Sequence, residues 1–173
     1  MRGMKFIFCA ALSLICAIPM TAQSGWQPEH TGIGFGQASG HQFLRMISLP
    51  EINLKSGAGK QQPVVLRFVI QNGLHINSHN PSSHFLIPTV LSFEPSAGIT
   101  ISKIEYPSGA GYHFNFSPQE SVSVYTGEFP VYVHLQAEPG RHSLHGQLRY
   151  QACDNRTCNP PKSLPVTLDI TAK

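Results

Sequence analysis

The sequence predicts an all-β protein, one β-sandwich domain behind a secretion signal. Three observations carry that expectation. Short runs rich in β-branched and aromatic residues alternate apolar with polar at period two, as in Ile99-Thr100-Ile101-Ser102-Lys103-Ile104-Glu105-Tyr106; such alternation puts one strand face on a core and the other in water. Turn signals punctuate these runs, drawn from 15 Gly and 14 Pro in 173 residues, at the spacing of sandwich folds. No window of helical length carries the 3.6-residue repeat.

The amino-terminal stretch stands apart. Arg2 and Lys5 give a positive start, Phe6 to Ile18 is apolar, and Pro19-Met20-Thr21-Ala22 has the small residues of a cleavage region. This is the pattern of a secretory signal peptide over 1–22, too short for a membrane span of roughly 20 apolar residues. Residues 23–42 hold six Gly or Pro and no periodicity, which predicts an irregular leader, and 43–173 form the sandwich. Removing the signal leaves 10 basic against 9 acidic residues, a balance without the electrostatic footprint of nucleic-acid binding. It also leaves two of four cysteines, Cys153 and Cys158, in an oxidising compartment. No later apolar segment approaches membrane-spanning length, so the mature chain is expected to be a soluble periplasmic or secreted protein.

Along the domain, Val64–Ile70 reads as a strand apolar on both faces. Asn72-Gly73 after it predicts a hairpin to Leu74-His75-Ile76. Thr89 to Phe93 is the next candidate, between Pro88 and Pro95, followed by Ile99–Tyr106. Ser108 to Pro118 reads as a loop containing Tyr112, Phe114 and Phe116. Ser121 to Tyr125, Val131–Leu135, Ser143–Gln151 and Leu164–Ile170 complete the strands.

The chemistry concentrates in Tyr150-Gln151-Ala152-Cys153-Asp154-Asn155-Arg156-Thr157-Cys158-Asn159-Pro160-Pro161. Two cysteines this close can pair within the chain. Closing so short a loop restrains the unfolded chain by only about 2 kcal/mol in the entropy model. Spacing alone leaves two readings open: a structural hairpin disulfide, or one opened and closed by thiol exchange, which needs a thiolate and an accessible sulfur. Cys153 continues a strand, whereas Cys158 lies past the turn beside prolines that cannot donate to a ladder; Cys158 is therefore expected to be the more exposed sulfur.

Tyr150-Gln151-Ala152-Cys153, Cys158, Pro160-Pro161 and Val166 resemble the N-terminal periplasmic domain of DsbD-type thiol:disulfide interchange proteins. Gln71 to His79, Ile101 to Pro107 and Tyr125 to Val133 keep that family's order, so the resemblance spans roughly Pro63 to Ile170. It implies an immunoglobulin-like fold and a redox-active Cys153–Cys158 pair that needs no bound cofactor. Cys158 would form the mixed disulfide with partners and Cys153 would resolve it. The partners implied are a thioredoxin-like or membrane-embedded electron donor and extracytoplasmic acceptors bearing disulfides. The resemblance also implies a cap loop shielding the sulfurs, for which Phe114 and Phe116 are the candidates, and polar residues flanking the thiols at His75, Asn77 and Tyr150. Two departures stand out. The full family protein continues into membrane and thioredoxin domains, whereas this sequence stops at Lys173, so the domain is expected either to receive electrons from a separate protein or to do something else. The cysteine loop is also shorter than in the best-known members, which bears on strain and potential.

Other signals are weaker. His75, His79 and His84 have imidazoles that suit zinc or copper, but they sit in Asn/Ser/Pro-rich sequence with no helix to converge them, and no metal site is expected. Asn115-Phe116-Ser117 and Asn155-Arg156-Thr157 fit the glycosylation pattern and read as incidental. The function expected is thus extracytoplasmic thiol:disulfide exchange, as a component of protein-disulfide reduction. Its rivals are an immunoglobulin-like binding module with a structural disulfide and a metal-handling accessory protein.

Overall fold

The computed structural model describes residues 42–47, 49, 51–55, 63–114 and 117–173. The expected signal peptide, the leader up to residue 41 and Phe116 lie outside them. Among the described residues every regular element is a strand: β1 (Leu44–Met46), β2 (Ile52–Leu54), β3 (Val64–Ile70), β4 (His75–Asn77), β5 (Val90–Phe93), β6 (Ile99–Glu105), β7 (Ala110–Phe114), β8 (Ser117–Thr126), β9 (Glu128–Ala137), β10 (Gly140–Tyr150), β11 (Ala152–Cys153) and β12 (Lys162–Ala172). No helix among them is long and apolar enough to cross a membrane.

The strands form three four-stranded sheets in a sandwich-like arrangement, ordered β1-β3-β9-β6, β2-β12-β10-β5 and β11-β4-β8-β7. Period-two alternation explains the core. In β9, Phe129, Val131, Val133, Leu135 and Ala137 are buried while their neighbours are more open, and β12 does the same with Val166, Leu168, Ile170 and Ala172. These faces, with Leu66, Phe68 and Ile70 of β3 and Leu144, Leu148 and Tyr150 of β10, make one continuous apolar cluster. Each fully buried side chain of this size contributes about 1.5–3 kcal/mol. Phe129 stacks on both Phe68 and Tyr125, with centroids 5.5 Å and 4.7 Å away. Gly146 occupies an inward position of β10 because Phe93 takes the space: a Cβ there would lie 2.6 Å from the Phe93 ring and 2.3 Å from the Ser92 carbonyl.

Two local expectations are corrected. Asn72-Gly73 does make a tight turn, with Gly73 at φ 81° and the Leu74 N–H donating to the Gln71 carbonyl at 3.1 Å. It does not close a hairpin. β3 pairs with β1 and β9, whereas β4 pairs with β11 and β8, so the turn carries the chain between sheets. The second correction is Ser108 to Pro118, which is no loop in its first half: β7 runs antiparallel to β8 there. Gly109 permits the close approach, since a Cβ on it would lie 2.1 Å from Ser123 Oγ.

Candidate functional site

The third sheet builds the site. Its β11 is the continuation of β10 after the single residue Gln151, and it pairs with β4 so that Ala152 faces Ile76 and Cys153 faces His75. Side chains directly opposite each other in a ladder share a face, with Cβ atoms about 4.5–5.5 Å apart. Ala152, Ile76 and Tyr125 belong to the core cluster, so Cys153 and His75 lie on the opposite face. The β4–β8–β7 pairings put Thr126, Val124 and Val122 of β8 and Tyr112 of β7 on that face too.

Cys153 and Cys158 are joined by a disulfide, with Cα atoms 4.0 Å apart, across a short hairpin. The Asp154 N–H donates to the Thr157 carbonyl at 2.9 Å and the Asn159 N–H to the Ala152 carbonyl at 2.8 Å. Asp154 shapes the tip: its Oδ1 accepts the N–H groups of Arg156 and Thr157, both at 2.7 Å. Those N–H groups of Thr157 and Arg156 hold the Asp154 carboxyl below its ordinary pKa. Cys153 is fully buried and Cys158 is exposed, so the bond presents one sulfur-bearing residue to solvent and keeps the other inside.

Aromatic side chains gather around His75. His75, 2 % exposed, contacts the Tyr112 ring at a centroid distance of 4.2 Å and the Phe114 ring at 5.7 Å, and those two rings meet edge to face at 5.4 Å. The Tyr112 hydroxyl donates to Asn155 Oδ1 at the hairpin tip, tying β7 to the cysteine loop. His75 Nε2 is buried with no hydrogen-bond partner. Burial pushes the imidazole below its ordinary pKa, against the opposing pull of the Asp154 carboxylate.

A sequence model of the family described as thiol:disulfide interchange protein DsbD, N-terminal, matches residues 46–169. The chain belongs to the DsbD N-terminal family. Among solved structures it is similar to the reduced DsbD N-terminal domain of Neisseria meningitidis, at 20% identity and a TM-score of 0.43 over 63% of this chain and 78% of that one. It is likewise similar to a complex between the DsbD N-terminal and PilB N-terminal domains of N. meningitidis, at 19% identity and a TM-score of 0.42 over 61% of this chain and 73% of that one. No curated protein matches the chain.

Within this DsbD N-terminal chain the expected site residues divide. The two cysteines, His75 and Phe114 converge. Asn77 turns its amide elsewhere, donating to the Ile87 carbonyl at 3.0 Å and to Gln151 Oε1 at 3.4 Å. Gln151 in turn donates to the Asn159 carbonyl at 3.1 Å, so Asn77 braces the base of the cysteine hairpin. Tyr150 faces the core rather than the thiols: its hydroxyl donates to Gln42 Oε1 at 2.7 Å and accepts the Phe43 N–H at 3.3 Å, fastening the segment that enters β1. The three clustered histidines part company. His79 stacks on Tyr106 at 3.9 Å and donates through Nδ1 to the Thr89 carbonyl at 3.0 Å, and His84 is exposed. No metal-type cluster of His, Cys, Asp and Glu occurs among the described residues. Sequence reasoning passed over Tyr112 in favour of Phe114 and Phe116. Tyr112 and Phe114 lie two residues apart on β7, and the tyrosine brings a hydroxyl to the hairpin.

Proposed function

We propose that this DsbD N-terminal-type domain is an extracytoplasmic thiol:disulfide exchange module that works through Cys153 and Cys158. The observation that carries the reading is the asymmetry of the pair, with exposed Cys158 bonded to buried Cys153. In the reduced state, the Cys158 thiolate attacks a partner disulfide. A bond forms between Cys158 Sγ and one partner sulfur, and the other partner sulfur leaves as a thiolate. Cys153 Sγ then attacks Cys158 Sγ, releasing the second partner thiolate and leaving the pair oxidised. Two electrons pass to the partner. The reverse sequence reloads the pair from a thioredoxin-like or membrane-embedded donor. Tyr112 and Phe114 act as the cap, which a partner displaces to reach the sulfur. The chemistry requires no bound cofactor.

The test is trapping. Cys153→Ser should accumulate a mixed disulfide with a thioredoxin-like donor through Cys158, seen as a reducible mass shift, and Cys158→Ser should trap far less. If neither variant traps a partner and the native pair resists reduction in a glutathione series poised near −300 mV, the structural-disulfide reading replaces this one; structural secreted disulfides sit below roughly that potential.

A further inference from the structure

The exchange cycle leaves one buried group without a task. The second attack requires the Cys153 thiol to lose its proton, because the thiolate is the nucleophile. In the oxidised state Cys153 is wholly enclosed, which directs the search for the proton acceptor to the side chains packed beside it. The group placed to take the proton is His75, opposite Cys153 in the β4–β11 ladder and on the same face, with a buried Nε2 that bonds to nothing in the oxidised state. A ring nitrogen left buried and unpaired is destabilising, and a group left so in a native structure calls for an explanation, a catalytic or redox role among them.

We propose that His75 is the general base of the resolving step, its Nε2 taking the Cys153 thiol proton as Cys153 Sγ attacks the Cys158–partner disulfide. The bond between Cys153 Sγ and Cys158 Sγ forms, the bond between Cys158 Sγ and the partner sulfur breaks, and the departing partner thiolate takes the electron pair. The imidazolium then returns its proton to that thiolate or to solvent. The role requires the Nδ1–H tautomer, with the Nε2 lone pair free. It also requires a neutral ring at working pH, which burial favours. The other groups facing His75 suit the role. Asp154 on the hairpin supplies a carboxylate that stabilises the transient imidazolium. β7 contributes Tyr112 and Phe114. β8 contributes Thr126, Val124 and Val122, with no charge.

The inference rests on the exchange reading, and the experiment separates the two. Reduced protein is mixed with 2,2′-dipyridyl disulfide, and pyridinethione release is followed in two phases: mixed-disulfide formation at Cys158, then resolution by Cys153. In the His75→Gln variant the first phase should stay within about twofold of wild type. The second should slow at least about tenfold at neutral pH, general base catalysis contributing typically 10²–10⁴-fold, and should recover log-linearly as pH rises. A second phase with the wild-type rate and pH profile would overturn the role of His75 alone. Absence of the first phase in the wild-type protein would overturn the exchange reading and this role with it. Should His75→Gln fail to fold, imidazole ¹⁵N spectra of the unmodified protein decide the matter. The His75 Nε2 signal should move on reduction as the Cys153 thiol donates to it, and an identical signal in both redox states would refute the proposal.

Discussion

Tyr112 offers the sharpest test of the aromatic cover. Three contacts hold the ring of this proposed cap residue: His75 at 4.2 Å, Phe114 at 5.4 Å and the hydroxyl bond to Asn155. Tyr112→Phe deletes only the last. A hydrogen bond contributes about 0.5–1.5 kcal/mol net, and each 1.36 kcal/mol is tenfold in rate. If the cover must open before a thiol reaches the bond, Tyr112→Phe should speed reduction about 2- to 12-fold. Tyr112→Ala also removes two ring contacts, each about 0.5–1.5 kcal/mol beyond area burial. Summed with the hydrogen bond, the loss is about 1.5–4.5 kcal/mol. The low end predicts roughly a 10-fold acceleration, and the high end exceeds what an already open loop would allow. The assay is the pseudo-first-order reduction of oxidised protein by dithiothreitol at fixed pH, quenched by alkylation and read by mass. Equal rates in wild type, Tyr112→Phe and Tyr112→Ala, with far-UV spectra unchanged, would refute the idea that these rings govern access.

Other expectations follow from the same geometry. Because the folded Asp154 carboxyl is held below its unfolded pKa, its contribution to the hairpin is complete above the unfolded value near 4 and is lost as pH falls through the folded one. Amide signals of Arg156 and Thr157 should therefore shift on acidification, and Asp154→Ala should abolish that titration. His75 has the opposite charge sense: its folded pKa lies below the unfolded one, so the unfolded chain binds the proton first and stability should decline as pH falls below about 6.5. Urea midpoints of oxidised wild type at pH 7.5 and 5 should differ more than those of His75→Gln; a larger difference in the variant would contradict the sign. In the core, Phe68→Ala empties a fully buried site stacked on Phe129 and should cost about 3–5 kcal/mol in denaturant unfolding.

The long strands were legible because burial on one side writes itself into the sequence at period two. Val64–Ile70 coincides with β3, and Ser143–Gln151 and Leu164–Ile170 fall inside or within one residue of β10 and β12. Pairing was less legible. Asn72-Gly73 specifies a turn, but the partner of β3 is chosen by distant apolar faces on β1 and β9, which no local signal records. β7 was hidden by its composition, since Gly109 and Gly111 read as loop where Gly109 allows close packing against β8. The cysteines were visible from spacing and family likeness. What escaped was the company each side chain keeps. Tyr150 sits two residues from Ala152 and three from Cys153, yet it faces the core, and His75 lies 78 positions before Cys153 in the chain, yet stands opposite it.

One consequence of the β10–β11 continuity concerns counting. β10 is locked to β12 along its whole length, from Gly140 opposite Ala172 to Tyr150 opposite Lys162. The alternation of faces then runs on without a break although the pairing partner changes: Tyr150 and Ala152 join the core, and Gln151 and Cys153 take the opposite face. The direction of the Cys153 side chain is thus fixed by an even or odd count from the β10–β12 ladder. A single residue inserted between Tyr150 and Ala152 would turn Cys153 to the core-facing side of the strand and put Ala152 beside His75, with no side chain altered. The loop around the disulfide can tolerate changes in what it contains far better than changes in how its approach is numbered.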